Sequence, residues 1–193
     1  MARAAWILTC LLLAAGPSHA GTRTVSTLDG LAPGTRVRMQ GTIAVHGDTP
    51  LVVLVLRLKD TGEVTLKPHS PDLEQELRNL DGLRVVVEGA VLPRLDPEIP
   101  RLEVDHYDML APPGAGDPII GIVSTENDAC IVTAGDGKRY WIAGDLAPAL
   151  CDHDGARVWM VGKKSKSGHG AQPRGTTAFT PTGYGVLNPA PAR

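Results

Sequence analysis

The chain has 193 residues, with 19 Lys and Arg against 21 Asp and Glu and a formal net charge of -2. That balance excludes a strongly basic nucleic-acid binder on composition alone. The charge is uneven, however. Residues 35–110 hold nine basic against thirteen acidic residues, whereas residues 117–193 hold eight against seven. The two halves show solvent opposite signs, which suggests different tasks.

Residues 1–20 read as a signal peptide. Arg3 gives a positive start, Ala4 to Ala15 is apolar apart from Thr9, and Gly16-Pro17 ends the run. Ser18-His19-Ala20 then places small residues at the −3 and −1 positions of a cut before Gly21. A dozen apolar residues fall short of the roughly 20 that a spanning helix needs. The expected location is therefore exported, periplasmic or secreted, with no transmembrane segment in the mature chain. A lipoprotein with Cys10 as its lipid site is the alternative, but Cys10 follows Leu8-Thr9 early and without the small residue such sites prefer. Cleavage leaves Cys130 and Cys151 as the remaining cysteines. An even pair in an oxidising compartment predicts a Cys130–Cys151 disulfide. The loop it closes is short, worth about 3 kcal/mol on chain-entropy reasoning.

Residues 21–34 form an N-terminal segment that could add an extended strand. In the next stretch Val37, Met39, Ile43 and Val45 alternate with polar residues, as in a half-buried strand. Gly41 interrupts that strand, which points to a bend or a close backbone approach. Leu51 to Lys59 is nearly continuous apolar sequence, with Arg57 and Lys59 sharing one side. A turn at Asp60-Thr61-Gly62 leads to a short strand holding Val64 and Leu66. Ser70 can cap a helix that begins at Pro71, with Asp72 and Glu74 near its positive end. Leu73, Leu77 and Leu80 share a face, and Gly82 is placed to end the helix. Strands over Leu83–Ala90, with Val85 and Val87 inward, and over Arg101–Leu110 complete the unit.

The phrase DGLRVVVEG at Asp81 returns as DGARVWMVG at Asp154, 73 positions later. Three further matches keep the same order. Tyr107 aligns with Tyr184, Gly41 with Gly121 and Gly62 with Gly137, at offsets of 77, 80 and 75. Similar strands with small loop insertions produce such drift, and chance likeness of Gly- and Val-rich segments does not keep order. Each Asp-Gly reads as the turn into a fourth strand. The segment APPGAGD, 111–117, has the Pro and Gly content of a linker, and 188–193 reads as a loose tail.

The order of three strands, a helix and two strands, written twice, resembles the OB-fold, a five-stranded Greek-key barrel with a helix between strands three and four. The resemblance covers residues 35–110 and 118–187 and implies an all-β chain of two tandem barrels with one short helix per unit. It is similar to small exported bacterial OB-fold proteins. In the second unit the helix shrinks to Asp145–Leu150 with Pro148 inside it, a departure from the pattern.

No G-x-S-x-G elbow surrounds a serine, and no cofactor signature is present. Cys151, Asp152 and His153 draw attention as a thiol enzyme or metal carrier, but neighbours on a tight turn point apart and no H-x-x-x-H or C-x-x-C spacing supports them. His46, His69, His106 and His169 share no spacing. A non-enzymatic binding protein is the expected class. The OB resemblance implies a ligand face on strands two and three, walled by the loops joining strands one–two and four–five. In the second unit that places Arg139 and Trp141 outward, beside a loop carrying Lys163, Lys164, Lys166 and Arg174 without a carboxylate. Such a face suits a partner protein or an anionic polymer of the cell envelope. A nucleic-acid or oligosaccharide module is the alternative, disfavoured by net charge, with Trp141 stacking on a base or sugar. A covered Trp141 beside a solvated lysine loop is the purely structural reading.

Overall fold

A computed structural model describes residues 22–47, 51–60, 62–95, 99–112, 116–165 and 173–190. The leader and Lys166 lie outside the described residues. The elements run β1 (Arg23–Thr24), β2 (Arg36–His46), β3 (Val53–Arg57), β4 (Glu63–Pro68), α1 (Pro71–Arg78), β5 (Arg84–Val91) and β6 (Arg101–Met109). There follow β7 (Ile119–Glu126), β8 (Ala129–Ala134), β9 (Arg139–Ile142), α2 (Ala147–Cys151), β10 (Arg157–Ser165) and β11 (Thr176–Asn188). Among the described residues the architecture is all-β with two short helices and is OB-like. Among the described residues no helix is long and apolar enough to cross a membrane.

Two sheets account for the strands. In the first the order is β1-β2-β3-β4-β6-β5, and β2 also pairs with β5, so five of the six strands close into a ring. The second is a closed barrel, β10-β11-β9-β8-β7, with β10 returning to β7. In both, the strand before the helix pairs in parallel with the last strand: β4 with β6 and β9 with β11. The N-terminal segment, whose sequence leaves a strand open, does add one, β1, which pairs in parallel with β2 through Arg23 and Val37.

Alternation carried the strands correctly. Val37, Met39, Ile43, Val85 and Val87 are fully buried in one core with Leu56, Val64, Leu66 and Leu102. Val123, Val132, Tyr140, Ile142, Val158, Met160 and Phe179 form the other. Val85 faces Gly41 and Val158 faces Gly121, each within its own sheet. Gly41 and Gly121 sit where the first strand of each ring is pressed from both sides. A Cβ at Gly41 would lie 2.7 Å from the Arg57 carbonyl oxygen, and one at Gly121 2.5 Å from that of Thr133.

The repeated Asp-Gly does the same work twice. The Asp81 carboxylate accepts the Val45 N–H at 3.0 Å, and the Asp154 carboxylate accepts the Thr125 N–H at 3.0 Å. The glycines follow at φ +77° and +79°, in the left-handed region that suits glycine. Their N–H groups donate to the carbonyls of Ile43 and Val123 at 2.9 Å. Each phrase thus fastens the helix-to-strand turn onto the first strand of its own ring.

Ser70 caps α1 as its position predicts, its hydroxyl accepting the Leu73 N–H at 3.3 Å. The helix ends at Arg78 with Asn79 as its C-cap, so Gly82 turns the chain into β5 rather than closing the helix. The second helix begins two residues later than its sequence suggests, at Ala147, because Pro148 fits a first turn and breaks an interior one.

The rings touch through α1. Leu187 of β11 belongs to the first core, and Ile120 and Trp159 pack against that core while partly exposed. Asn79 donates to the Leu187 carbonyl at 2.8 Å. Glu76, only 4% exposed, accepts from Arg157 of β10 at 2.7 Å and from the Tyr107 hydroxyl at 2.8 Å. Burial first, then the Glu76 carboxylate, holds the Tyr107 phenol far above its ordinary range, so it stays a donor.

Candidate functional site

Residue alternation decides what β8 and β9 show to solvent. Tyr140 and Ile142 are 5% and 3% exposed inside the barrel, so Arg139 and Trp141 lie on its outer face. There Ile131 of β8, Trp141 and Ala178 of β11 stand side by side, and Ser165 of β10 flanks Ala178. Ile131 and Ala178 are 0% and 1% exposed, yet neither belongs to a core cluster. The large side chain standing between them is the indole of Trp141, which remains half-buried. It stands between Ile131 and Ala178 and still offers surface of its own.

Arg139 is less available than its outward position implies. Its guanidinium donates to Glu126 at 2.5 Å. The register sets Arg139 level with Thr133 and Glu126 level with Ala129, so this pair bridges over the Ile131 row. Its charge is largely balanced within the barrel.

The basic loop is divided. Gly162 shifts the register of β10, which leaves Lys163 opposite Thr180 and Lys164 opposite Phe179. The Lys164 ammonium sits 5.7 Å from the centre of the Tyr140 ring, a cation–π contact at the barrel end. Lys163 and Arg174 are exposed at the two ends of the loop, whose tip lies outside the described residues. Arg174 comes two residues before Thr176, the partner of Arg139, so it borders the Trp141 face. Of the six expected ligand residues the structure thus sets Arg139 and Trp141 on one face, leaves Lys163 and Arg174 exposed at the loop ends and turns Lys164 toward Tyr140, while Lys166 lies outside the described residues.

Trp141 is also one wall of a cleft of about 440 Å³ that runs past α2, with Asp128, Cys130, Pro148, Cys151 and Asp152 around it. The loop joining β7 to β8 is only Asn127-Asp128, both at positive φ as in a tight primed hairpin turn, so this side stays low and open. The cleft and Asp128 are not signalled by the sequence, and Asp152, which the sequence offers only beside Cys151 and His153 as a metal or thiol candidate, lines the cleft instead. Neither a short loop nor a helix displaced by Pro148 announces a cavity.

Cys130 and Cys151 do meet, but the structure holds them as free thiols in contact rather than as a cystine. Burial, then the hydrogen-bonding Cys151 side chain, pushes the Cys130 thiol far above its ordinary range. A thiol so held is a poor nucleophile, since the thiolate is the reactive form. Among the described residues no three His, Cys, Asp or Glu side chains converge as a metal site. His153 instead packs its ring 6.0 Å from that of Tyr184.

Fold and face together define an OB-like β-protein with an open cleft walled by Trp141. No protein-family profile matches the chain. No curated protein matches it at significant similarity. Among solved structures it is similar to the wild-type single-stranded DNA binding protein from Thermus aquaticus, at 16% identity over 84% of this chain and 97% of that one, with a TM-score of 0.29. A deletion mutant of that protein gives 15% identity, 84% and 98% coverage and a TM-score of 0.28. Likeness at this level does not bear on the ligand.

Proposed function

We propose that this chain is an exported, non-enzymatic binding protein of two OB-fold domains joined at 111–117, which engages single-stranded nucleic acid across the outer face of β8 and β9. The observation that carries the reading is the half-buried Trp141 forming one wall of an open cleft. A base can stack on the indole there. Asp128 and Asp152 then accept hydrogen bonds from its exocyclic amino or imino groups, as carboxylates do from cytosine N4. Lys163 and Arg174, exposed on the loop rim, meet the phosphates. With few cations and two carboxylates nearby, the interaction is weak and sensitive to salt.

The test is a titration with single-stranded oligonucleotide and with an acidic polysaccharide, each at low and moderate salt. Oligonucleotide binding should fall with salt, and Lys163→Gln with Arg174→Gln should flatten the slope by about 0.7 for each phosphate no longer neutralised. Binding of the polysaccharide alone would shift the reading to a carbohydrate polymer of the envelope. Binding of neither at low salt would leave a partner protein as the occupant.

Export has its own consequence. In an oxidising compartment the touching thiols of Cys130 and Cys151 are expected to join. Alkylation without reductant followed by intact-mass measurement should then add nothing to protein recovered from the envelope. Two added alkyl groups on the folded, exported protein would contradict this.

A further inference from the structure

The outer wall of the first ring holds a basic cleft that nucleic-acid binding at β8 and β9 does not use. At Thr42 the strand β2 is paired on both sides, with Arg57 of β3 and with Arg84 of β5. Strands lie about 4.8 Å apart, so the two guanidinium groups flank one threonine within reach of a single small ion. Lys59 and Gln40 complete a cleft of about 440 Å³. Lys59 and Arg84 are exposed, and among the described residues neither side chain has an ion-pair or hydrogen-bond partner. Glu63 takes the Arg57 Nε at 3.1 Å and holds that guanidinium in place. Three cations against one carboxylate leave a surplus of two positive charges. The rest of residues 35–110 is acidic, so this concentration runs against the local trend.

The second ring supplies an internal comparison. The same row there reads Thr133, Ile122 and Arg157, with Arg157 committed to Glu76. Ile122, standing where Thr42 stands, is 53% exposed. That ring closes with a single cation in the row, and that one is paired, so barrel closure does not require a cluster of unpaired cations.

We propose that Arg57, Lys59 and Arg84, with the Thr42 hydroxyl and the Gln40 amide, form a binding site for a phosphate dianion, free or as a monoester. Two guanidinium forks suit the tetrahedral oxygens, and the local surplus of charge matches a dianion rather than a carboxylate. The site lies apart from β8 and β9 and stands or falls independently of the nucleic-acid reading.

The test is calorimetric titration of the mature protein in low-salt chloride buffer with inorganic phosphate, phenyl phosphate and acetate. Saturable binding of the two phosphates, and none of acetate, is expected. Tighter binding of phenyl phosphate identifies a monoester as the ligand, and equal binding identifies free phosphate. Arg84→Gln and, separately, Lys59→Gln should each weaken binding by about tenfold, the scale of one charge-assisted hydrogen bond. Lys67→Gln, an equal charge loss elsewhere on the same ring, should leave it unchanged. Failure to saturate with either phosphate, or equal weakening by Lys67→Gln, would overturn the proposal.

Discussion

Replacing Gly89 with alanine should destabilise the protein by about 3 kcal/mol or more, the upper range for overpacking against an immovable neighbour. Gly89 lies at the point where β5 slips its register against β6. A Cβ there would stand 1.8 Å from the Glu103 carbonyl oxygen and 2.8 Å from its carbon, both backbone atoms of the adjacent strand. No side chain can rotate aside to relieve that clash, so the strands must part and lose ladder hydrogen bonds. The equivalent glycine of the second phrase, Gly162, sits at the same kind of shift, with the Thr180 carbonyl oxygen 2.2 Å from its Cβ position. Gly162→Ala should therefore behave alike. Gly135→Ala is the control, because nothing lies within 4 Å of its Cβ position. Urea unfolding measures all three. A Gly89→Ala protein within about 0.5 kcal/mol of the parent, the range of neutral surface changes, would contradict the bulge geometry.

Glu76→Ala should cost about 2–3 kcal/mol, somewhat below the loss from breaking a fully buried pair. The carboxylate is buried and serves two donors at once. Its removal leaves the Tyr107 hydroxyl, on a side chain 5% exposed, without a partner. Arg157 loses less, since its side chain is 46% exposed and can turn to water. Glu76→Gln keeps an acceptor and the volume, so it should cost less than half as much. The alanine change also removes the ion pair between the two rings. Thermal unfolding of Glu76→Ala should accordingly separate into less coincident transitions for probes in each ring. A single unchanged transition for both substitutions would show that this link carries no stability.

Much of the architecture was legible because it is local. The alternation of Val37, Met39, Ile43 and Val45 set the inward face of β2. The same period applied to Arg139–Ile142 placed Trp141 outside. Ser70-Pro71 marked the start of α1, and the paired Asp-Gly phrases marked equivalent turns. What stayed hidden depends on partners distant in sequence. The parallel pairings of β4 with β6 and β9 with β11 leave no periodic trace. Glu76 had a readable signal, since it lies three residues after Leu73 and four before Leu80 on the apolar face, but its partners Tyr107 and Arg157 come from two other strands. Lys164 was misleading for a simpler reason. The shift at Gly162 resets the alternation, so a lysine that reads as part of a solvated loop faces the Tyr140 ring instead. Arg139 likewise reads as a free cation until Glu126 is found across the sheet.

The central claim is that Trp141 stacks on a base, and fluorescence anisotropy of a labelled single-stranded oligothymidylate tests it most directly. At low salt the mature protein should bind, and Trp141→Ala, still folded by its unfolding curve, should bind about 1–3 kcal/mol more weakly with an almost unchanged salt slope. Equal affinity of the two proteins, or no binding by the parent at low salt, would contradict the account.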